Sequence, residues 1–453
     1  MNKTIIPLLV FFSLSANVEA QYYSFSTESA YPNLPYNPNN LGQVENKLVS
    51  FLDAEQGFGI YARDVVTKSV VKLISVDRAM LNRERLISQY FKTPKGLLID
   101  VFGKLYLSDG TVAGTIFIKD FGETYNSNFA PVLVSRIVNI EQVGNSIFVT
   151  RAGESVFYLE SDYTIWRINL DTGQTNLISD PDTQGLTMIT GSALDDSAVA
   201  FGYDDSKGYS FWQVDLAKNQ PNYINRFEDD QERNLTVFGK GVQSRTGLVV
   251  CRASEGYADS SLWRLSRDGR LTRLAESCNA VFGTSSGDKD KFFFTTNDGF
   301  WTANGYPGGN VKLLQIGANS QIDSVCVFDP TVVISISSTQ PGSLGLSSVT
   351  VLDTQSGDRK TMSDVQLIDG CLKNRALLVK RNEGNGLPKQ IFVFDERADN
   401  FHDVKRTPTS FSVNSPVEIG KDIFFASPPL RQLTFKEGSF TSFLPPIVDI
   451  LTE

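Results

Sequence analysis

Aromatic residues recur along this chain at a nearly even spacing, each within a short run of strand-forming residues. The four tryptophans lie 46, 51 and 38 residues apart, with Trp166 in TIWRIN, Trp212 in SFWQVD, Trp263 in SLWRLS and Trp301 in GFWTAN. A repeat of about forty residues that contains several strands is typical of the blades of a β-propeller.

The repeat extends beyond the tryptophans in both directions. Tyr106 and Tyr61 continue it towards the N-terminus by 60 and 45 residues, and Phe392 continues it towards the C-terminus, with Thr350 between. An apolar run precedes each aromatic strand, and nine such runs occur: LVSFLDA, GLLIDVF, SIFVTR, AVAFGY, GLVVCR, KFFFTT, TVVISIS, RALLVKR and DIFFAS. Nearly continuous apolar runs indicate strands that are buried on both faces. The sequence therefore predicts an all-β fold, a single closed β-propeller of eight or nine four-stranded blades, with eight if the two chain ends share one blade.

The two ends of the chain differ from the repeat. Residues 1–20 resemble a secretory signal peptide, with Lys3, an apolar core and small residues before a cut at Gln21. We expect an extended N-terminal arm at 21–40, the propeller at 41–445 and a C-terminal tail at 446–453. The mature protein is predicted to be secreted and extracellular.

Charge limits the classes of partner. The formal net charge is −9, and the chain contains no run of Lys or Arg. An acidic chain of this kind is a poor binder of nucleic acid or of anionic membranes. No later apolar stretch is long enough for membrane insertion.

Four cysteines lie in the second half of the chain: Cys251, Cys278, Cys326 and Cys371. An even number in a secreted protein favours two disulfides, although three pairings are open and buried free thiols are the alternative. Proximity in sequence favours Cys251–Cys278 and Cys326–Cys371. Asn234, in Asn-Leu-Thr, is an expected glycosylation site.

One unit matches a known repeat. Leu105–Phe121 reads LYLSDGTVAGTIFIKDF and resembles the ELWxxDGTxxGTxLVKDI repeat of the hyalin-like, ELW-type propeller proteins. Tyr106 stands in the place of the family's Trp, and Lys104 replaces its leading Glu. Phe300–Leu314 keeps the same register with Trp301, Asn304, Gly305 and Gly309. The resemblance implies an extracellular β-propeller and brings no catalytic residues.

The motif residues are predicted to be structural. Asp109-Gly110 is a strong hairpin signal because both residues tolerate positive φ. Asp64, Asp215, Asn304 and Asp395 take the same position, three residues after the aromatic. The alternative is that these carboxylates bind calcium or that the Trp rings bind sugars. We expect no cofactor, with calcium left open.

Catalytic signatures are sparse. His402 is the single histidine, and its polar context in NFHDVKR predicts an exposed residue. The leading prediction is a non-catalytic binding or structural module whose loops, foremost 122–132 and 151–161, contact an extracellular protein or glycan. For that region, an extra edge hairpin that binds no ligand is an equal alternative. The alternative is a glycoside hydrolase or lyase that uses two carboxylates on one propeller face.

Overall fold

The computed structural model describes residues 19–27, 41–54, 57–77, 88–101, 103–121, 136–153, 162–179, 186–194, 197–204, 208–227, 236–253, 260–284, 287–340, 347–368, 371–381, 388–405, 414–426 and 431–439. Their regular structure is antiparallel β-sheet, apart from a short 3-10 helix at Glu396–Ala398. Within those ranges, no helix is both long and apolar enough to cross a membrane.

Each repeat unit forms a four-stranded antiparallel sheet in simple up-and-down order. The first four sheets contain β2 (Gly42–Val44), β3 (Lys47–Ala54), β4 (Gly57–Asp64), β5 (Val70–Ser75); β6 (Ser88–Thr93), β7 (Gly96–Val101), β8 (Lys104–Ser108), β9 (Thr115–Asp120); β10 (Arg136–Val143), β11 (Ser146–Gly153), β12 (Asp162–Asn169), β13 (Thr175–Ser179); and β14 (Leu186–Leu194), β15 (Ser197–Asp204), β16 (Gly208–Asp215), β17 (Gln220–Arg226).

The next four sheets contain β18 (Thr236–Ser244), β19 (Gly247–Ala253), β20 (Ser260–Leu265), β21 (Leu271–Ala275); β22 (Ala280–Gly283), β23 (Phe292–Thr296), β24 (Gly299–Ala303), β25 (Val311–Gln315); β26 (Ser320–Val327), β27 (Thr331–Ser338), β28 (Ser347–Asp353), β29 (Arg359–Ser363); and β30 (Gln366–Leu367), β31 (Arg375–Arg381), β32 (Pro388–Asp395), β33 (Asn400–Lys405). The apolar runs expected to be second strands are the second strands of all nine sheets, and where their burial is described they are almost wholly buried, as in β19.

Both ends of the chain build the ninth sheet. β34 (Asn414–Ile419), β35 (Asp422–Ala426) and β36 (Arg431–Ser439) are joined by β1 (Glu19–Thr27), which pairs antiparallel with β36 at nine residue positions. β1 also meets β33 in parallel, but at only two positions. The shared sheet does not reduce the number to eight, because the C-terminal part supplies three strands of its own.

The hydrophobic core lies between successive sheets, and nine buried clusters occur among the described residues, each joining two neighbours. Between the third and fourth sheets, for example, Phe148 and Ile165 pack against Leu186 and Trp212. One cluster joins the ninth sheet to the first, where Ile419 and Phe424 pack with Leu48, Leu52 and Tyr61. Burial of these apolar side chains, at about 25 cal/mol per Å², is the main force that holds the sheets together.

In six of the sheets, a β-bulge interrupts the pairing of the third and fourth strands. It lies directly before the repeated aromatic: Tyr61, Tyr106, Trp166, Trp212, Trp263 and Trp301. The residue passed over on the fourth strand is always Leu or Ile: Leu73, Ile118, Ile178, Ile224, Leu274 and Leu313. A bulge turns one side chain out of the alternating pattern. Here it directs that Leu or Ile into the cluster between sheets.

Candidate functional site

The aromatic repeat occupies one structural position. Tyr61, Tyr106, Trp166, Trp212, Trp263, Trp301 and Phe392 each lie in the middle of a third strand. Trp212 is 6% exposed, whereas Trp166, Trp263 and Trp301 are half-buried. Trp212 belongs to the buried cluster between the third and fourth sheets and contacts Tyr223 edge-on, whereas Lys312 lies 4.6 Å from the Trp301 ring centre.

The residue three places after each aromatic caps the following turn. In eight sheets the side-chain oxygen of this residue accepts a backbone N–H of the turn, and in the seventh sheet Thr350 stands in the place of the aromatic. The eight acceptors are Asp64, Asp109, Asn169, Asp215, Ser266, Asn304, Asp353 and Asp395. Sequence reasoning had missed Asn169, Ser266 and Asp353, although the +3 spacing would have found them. Backbone hydrogen bonds hold the pKa of Asp64, Asp215 and Asp353 below its usual value.

The Asp109 loop explains the spacing of its motif. Asp109 Oδ1 accepts from Thr111 N at 2.8 Å and Thr111 Oγ1 at 2.6 Å, which lowers the pKa of Asp109. Gly110 has φ of +79°, which favours glycine. A Cβ on Gly114 would lie 2.1 Å from the Asp109 carboxyl group, so the loop needs glycine there.

The sixth sheet repeats this loop with different residues. Asn304 replaces the aspartate, Gly305 has φ of +81°, and a Cβ on Gly309 would lie 2.0 Å from Asn304 Oδ1. An amide therefore serves the turn as well as a carboxylate does.

The expected disulfides are both present. Cys251 of β19 pairs with Cys278, which lies in the connection to the sixth sheet. Cys326 of β26 pairs with Cys371, which lies in the hairpin between β30 and β31. The second bridge therefore ties the seventh sheet to a loop of the eighth.

Two other predictions have different outcomes. The prediction that His402 is exposed is wrong: it is 6% exposed, and it lies on β33, alongside which β1 pairs in parallel. Asn234 and the loops 122–132 and 154–161 lie outside the described residues.

A buried ion pair joins the second and third sheets. Arg151 Nη1 donates to Asp100 Oδ2 at 3.1 Å, and the two side chains are 1% and 3% exposed. Burial raises the pKa of Asp100, and the Arg151 guanidinium opposes that rise. The guanidinium also stacks 4.3 Å from the centre of the Phe121 ring.

The upper face of the molecule is defined here as the end that carries the hairpins between first and second strands and the loops between third and fourth strands. A cavity of about 890 Å³ opens on it between the eighth, ninth, first and second sheets. Charged side chains dominate its lining: Lys92, Lys373, Arg375, Arg397, Lys421, Asp395 and Glu418. Gln43, Asn374 and Cys371 also line this basic cavity, and two of its lining residues, Cys371 and Asp395, are among those that the sequence analysis named.

Arg375 organises one wall of the basic cavity. Its Nε donates to Asp395 Oδ2 at 2.9 Å, and its Nη1 donates to Glu418 Oε1 at 3.0 Å. Nη1 also donates to the Lys421 carbonyl at 3.2 Å, and Gln43 Nε2 donates to the Glu418 carbonyl at 2.8 Å. These bonds connect the eighth, ninth and first sheets at the upper face. Two carboxylates held by one guanidinium form a rigid, polar wall.

A second, smaller cavity of about 370 Å³ also opens on the upper face. First strands of the third, fifth and sixth sheets line it, with Glu141, Gln243, Asp288 and Lys289 as its polar side chains. Its charges nearly balance. Among the residues that the structure describes, no group of three or more His, Cys, Asp or Glu side chains is placed to hold a metal ion.

No protein-family model and no curated protein sequence matches the chain. Solved structures do. Sqt1 of Saccharomyces cerevisiae is similar with a TM-score of 0.42 and 9% identity, over 93% of this chain and 100% of that one. The WD40 domain of SCAP from fission yeast has a TM-score of 0.40 and 8% identity, over 92% and 98%. The β-propeller domain of the Trilobed protease from Pyrococcus furiosus has a TM-score of 0.34 and 10% identity, over 67% of this chain and 82% of that one.

The class of the protein follows from its own topology. Four-stranded up-and-down sheets that pack face to face in chain order define a β-propeller. The larger of the two cavities described on its upper face is the basic cavity.

Proposed function

We propose that the nine sheets close into one ring and that the protein is a secreted, non-catalytic extracellular module that binds a protein or glycan at its upper face. Closure is supported by the cluster between the ninth and first sheets and by the Gln43–Glu418 hydrogen bond. Pairing of β1 with β36 supports it further, because it ties the two chain ends together.

Secretion is supported by the two disulfides, since such bonds persist in oxidising compartments. Cleavage before Gln21 would keep seven of the nine pairs between β1 and β36. Expression of the full chain in a secreting host, followed by N-terminal sequencing of the medium, tests this. We expect a chain that begins at Gln21 and carries a glycan on Asn234. Retention of the chain with an intact N-terminus would contradict it.

The basic cavity is the observation that carries the binding proposal. It lies on a rigid ring and has a size typical of small-ligand sites, about 300–1,000 Å³. A glycan array and a pull-down with the secreted protein test the function, with Lys373→Gln/Arg397→Gln as the matched variant. Capture of a partner by the wild type, lost in the double variant, supports it. Capture that both proteins share would place binding elsewhere.

Membership of the hyalin-like, ELW-type repeat family is part of the same proposal. Its support is the shared geometry of the Asp109-Gly110-Gly114 and Asn304-Gly305-Gly309 loops, which matches the two units that resemble the repeat in sequence.

A carboxylate enzyme is the second candidate, because Asp395 and Glu418 meet at the wall of the basic cavity. Glycoside cleavage needs two such groups near one bond. The ion pairs with Arg375 weigh against it, since they hold both carboxylates in a structural role. Turnover of a broad panel of glycosides by the wild type, abolished in Glu418→Gln, would make the enzyme the better proposal. Turnover lost in His402→Ala instead would point to a histidine mechanism.

A further inference from the structure

The basic cavity has the opposite charge to the rest of the protein. The whole chain has a net charge of −9. Five cationic and two anionic side chains line the cavity, a net of three positive charges. Clefts lined by one sign of charge focus the field and raise the local concentration of the opposite ion. A positive cleft in an acidic protein therefore selects anions, while the remaining surface repels them.

The cations are arranged around one opening rather than along one strand. Lys92 comes from the second sheet, Lys373 and Arg397 from the eighth, and Lys421 from the ninth, and all four are exposed. Lys92, Lys373 and Arg397 form no ion pair within the part of the chain that the structure describes. Arg375 differs from these, since Asp395 and Glu418 already neutralise it. Lys92, Lys373 and Arg397 therefore keep their charge for a ligand.

We propose that the basic cavity binds an anionic oligosaccharide, with its carboxylate or sulfate groups against Lys92, Lys373, Arg397 and Lys421. This inference rests on the proposed binding function and names its ligand class. The amides of Gln43 and Asn374 line the cavity beside these cations and are hydrogen-bonding groups for sugar hydroxyls, whereas Arg375 holds the carboxylates of Asp395 and Glu418 in the wall. Arg375 is a positioning residue, because it acts by holding these two carboxylates.

The shape of the cavity favours a carbohydrate over a protein partner. Stable protein interfaces bury about 800 Å² on each partner and use aromatic anchors at their centre. The basic cavity is a concave site of about 890 Å³, and no aromatic side chain lines it among the described residues. An acidic peptide carries the same negative charge as an anionic sugar but lacks the sugar's hydroxyl groups. The test therefore includes an acidic peptide as a competing ligand class.

The Cys326–Cys371 disulfide supports the site. Cys371 lines the cavity two residues before Lys373, and the bridge anchors this hairpin to β26 of the seventh sheet. The Cys251–Cys278 bridge lies between the fifth and sixth sheets, whose residues do not line the basic cavity. It is therefore a matched control for the loss of a disulfide.

The test is calorimetric titration of the mature protein with a chondroitin sulfate hexasaccharide and with an alginate hexamer. Maltohexaose and hexaglutamate are the neutral and peptide probes. We expect the anionic sugars to bind and to weaken as salt rises, with maltohexaose and hexaglutamate binding at least tenfold more weakly. The two anionic sugars distinguish sulfate from carboxylate as the preferred group.

Variants locate the site. Lys373→Gln/Arg397→Gln should weaken binding about tenfold or more, since charge-assisted hydrogen bonds are lost. Lys104→Gln removes an exposed charge on the opposite face, beside Asp120, and should leave affinity unchanged. Cys326→Ser/Cys371→Ser should weaken binding, whereas Cys251→Ser/Cys278→Ser should not. Thermal unfolding of each variant identifies any that do not fold, and the lysine and arginine variants test the site without touching a disulfide.

The outcomes separate the ligand class from the binding function. Binding of maltohexaose or hexaglutamate as tight as that of the anionic sugars, and abolished by the Lys373→Gln/Arg397→Gln pair, would overturn the anionic-sugar inference and leave the binding function standing. Failure of every probe to bind the wild type would overturn the inference. If the anionic sugars bind Lys373→Gln/Arg397→Gln as tightly as they bind Lys104→Gln and the wild type, the assignment of the site to the basic cavity is overturned.

Discussion

Trp212→Ala is expected to destabilise the protein more than Trp301→Ala does, although the two residues share one position in the repeat. Trp212 is 6% exposed and packs in the cluster between the third and fourth sheets. Replacement of a buried Trp by Ala typically costs about 3–5 kcal/mol, because the lost contacts leave a cavity. Its edge-on contact with Tyr223, at 5.6 Å between ring centres, is lost as well.

Trp301 loses less because part of its ring remains in water. It stacks on Phe294 at 5.9 Å, donates Nε1–H to Thr296 Oγ1 at 3.0 Å and lies under Lys312. Partial burial and an exposed cation–π contact together predict a loss of roughly 1–3 kcal/mol. Trp212→Phe should recover part of the loss at the first position, since most of the ring is restored.

Urea unfolding followed by circular dichroism measures these differences as shifts in midpoint at constant slope. Equal losses for Trp212→Ala and Trp301→Ala would refute the argument from burial. A Trp301→Ala protein of unchanged stability that no longer binds its ligand would show that this ring is a binding platform.

Three further predictions concern single contacts. Gly114→Ala should lose about 1–3 kcal/mol because its Cβ would collide with the Asp109 carboxyl group, whereas Gly317→Ala, whose nearest contact is at 3.5 Å, should be nearly neutral in the same urea assay. Arg151→Ala should lower the free energy of unfolding by about 3–5 kcal/mol, because it leaves Asp100 buried without its partner. A double change, Arg151→Met with Asp100→Leu, should recover most of that loss, and no recovery would contradict the ion-pair argument. The pKa of Asp109 is lower in the folded protein than in the unfolded chain, so the ionised carboxylate stabilises the fold above about pH 4 and this contribution is lost as pH falls through the folded pKa. Asp109→Asn should therefore lose less stability than the wild type between about pH 5 and 3. Identical acid profiles of the two proteins would refute this.

Much of the fold was accessible from sequence because its signals are local. Second strands such as GLVVCRA are short apolar runs bounded by turn residues, and the Asp109-Gly110 turn needs only its neighbours. The capping residues share one spacing for the same reason, three residues after the aromatic in seven sheets and after Thr350 in the seventh sheet. The two cysteine pairs agree with the prediction because each bridge joins neighbouring parts of the repeat.

The bulges and the basic cavity were not predictable in the same way. A bulge is a property of how two strands pair, so Ile178 cannot be identified as the inserted residue before its partner Trp166 is in register. Lys92, Arg397 and Lys421 lie in no run of Lys or Arg and meet only because the ninth sheet packs between the eighth and the first, and the first packs against the second. The burial of His402 was not predictable either, because its neighbours in sequence are polar and give no sign that this strand is covered.

A crystal structure of the mature protein with a bound chondroitin sulfate or alginate hexamer tests both ring closure and the binding site. We expect nine four-stranded sheets, with the ninth packed against the first through Ile419, Phe424 and Leu48. It also predicts the anionic groups of the sugar in the basic cavity, against Lys373 and Arg397. A ring that is open between the ninth and first sheets, or a sugar bound away from this cavity, would contradict it.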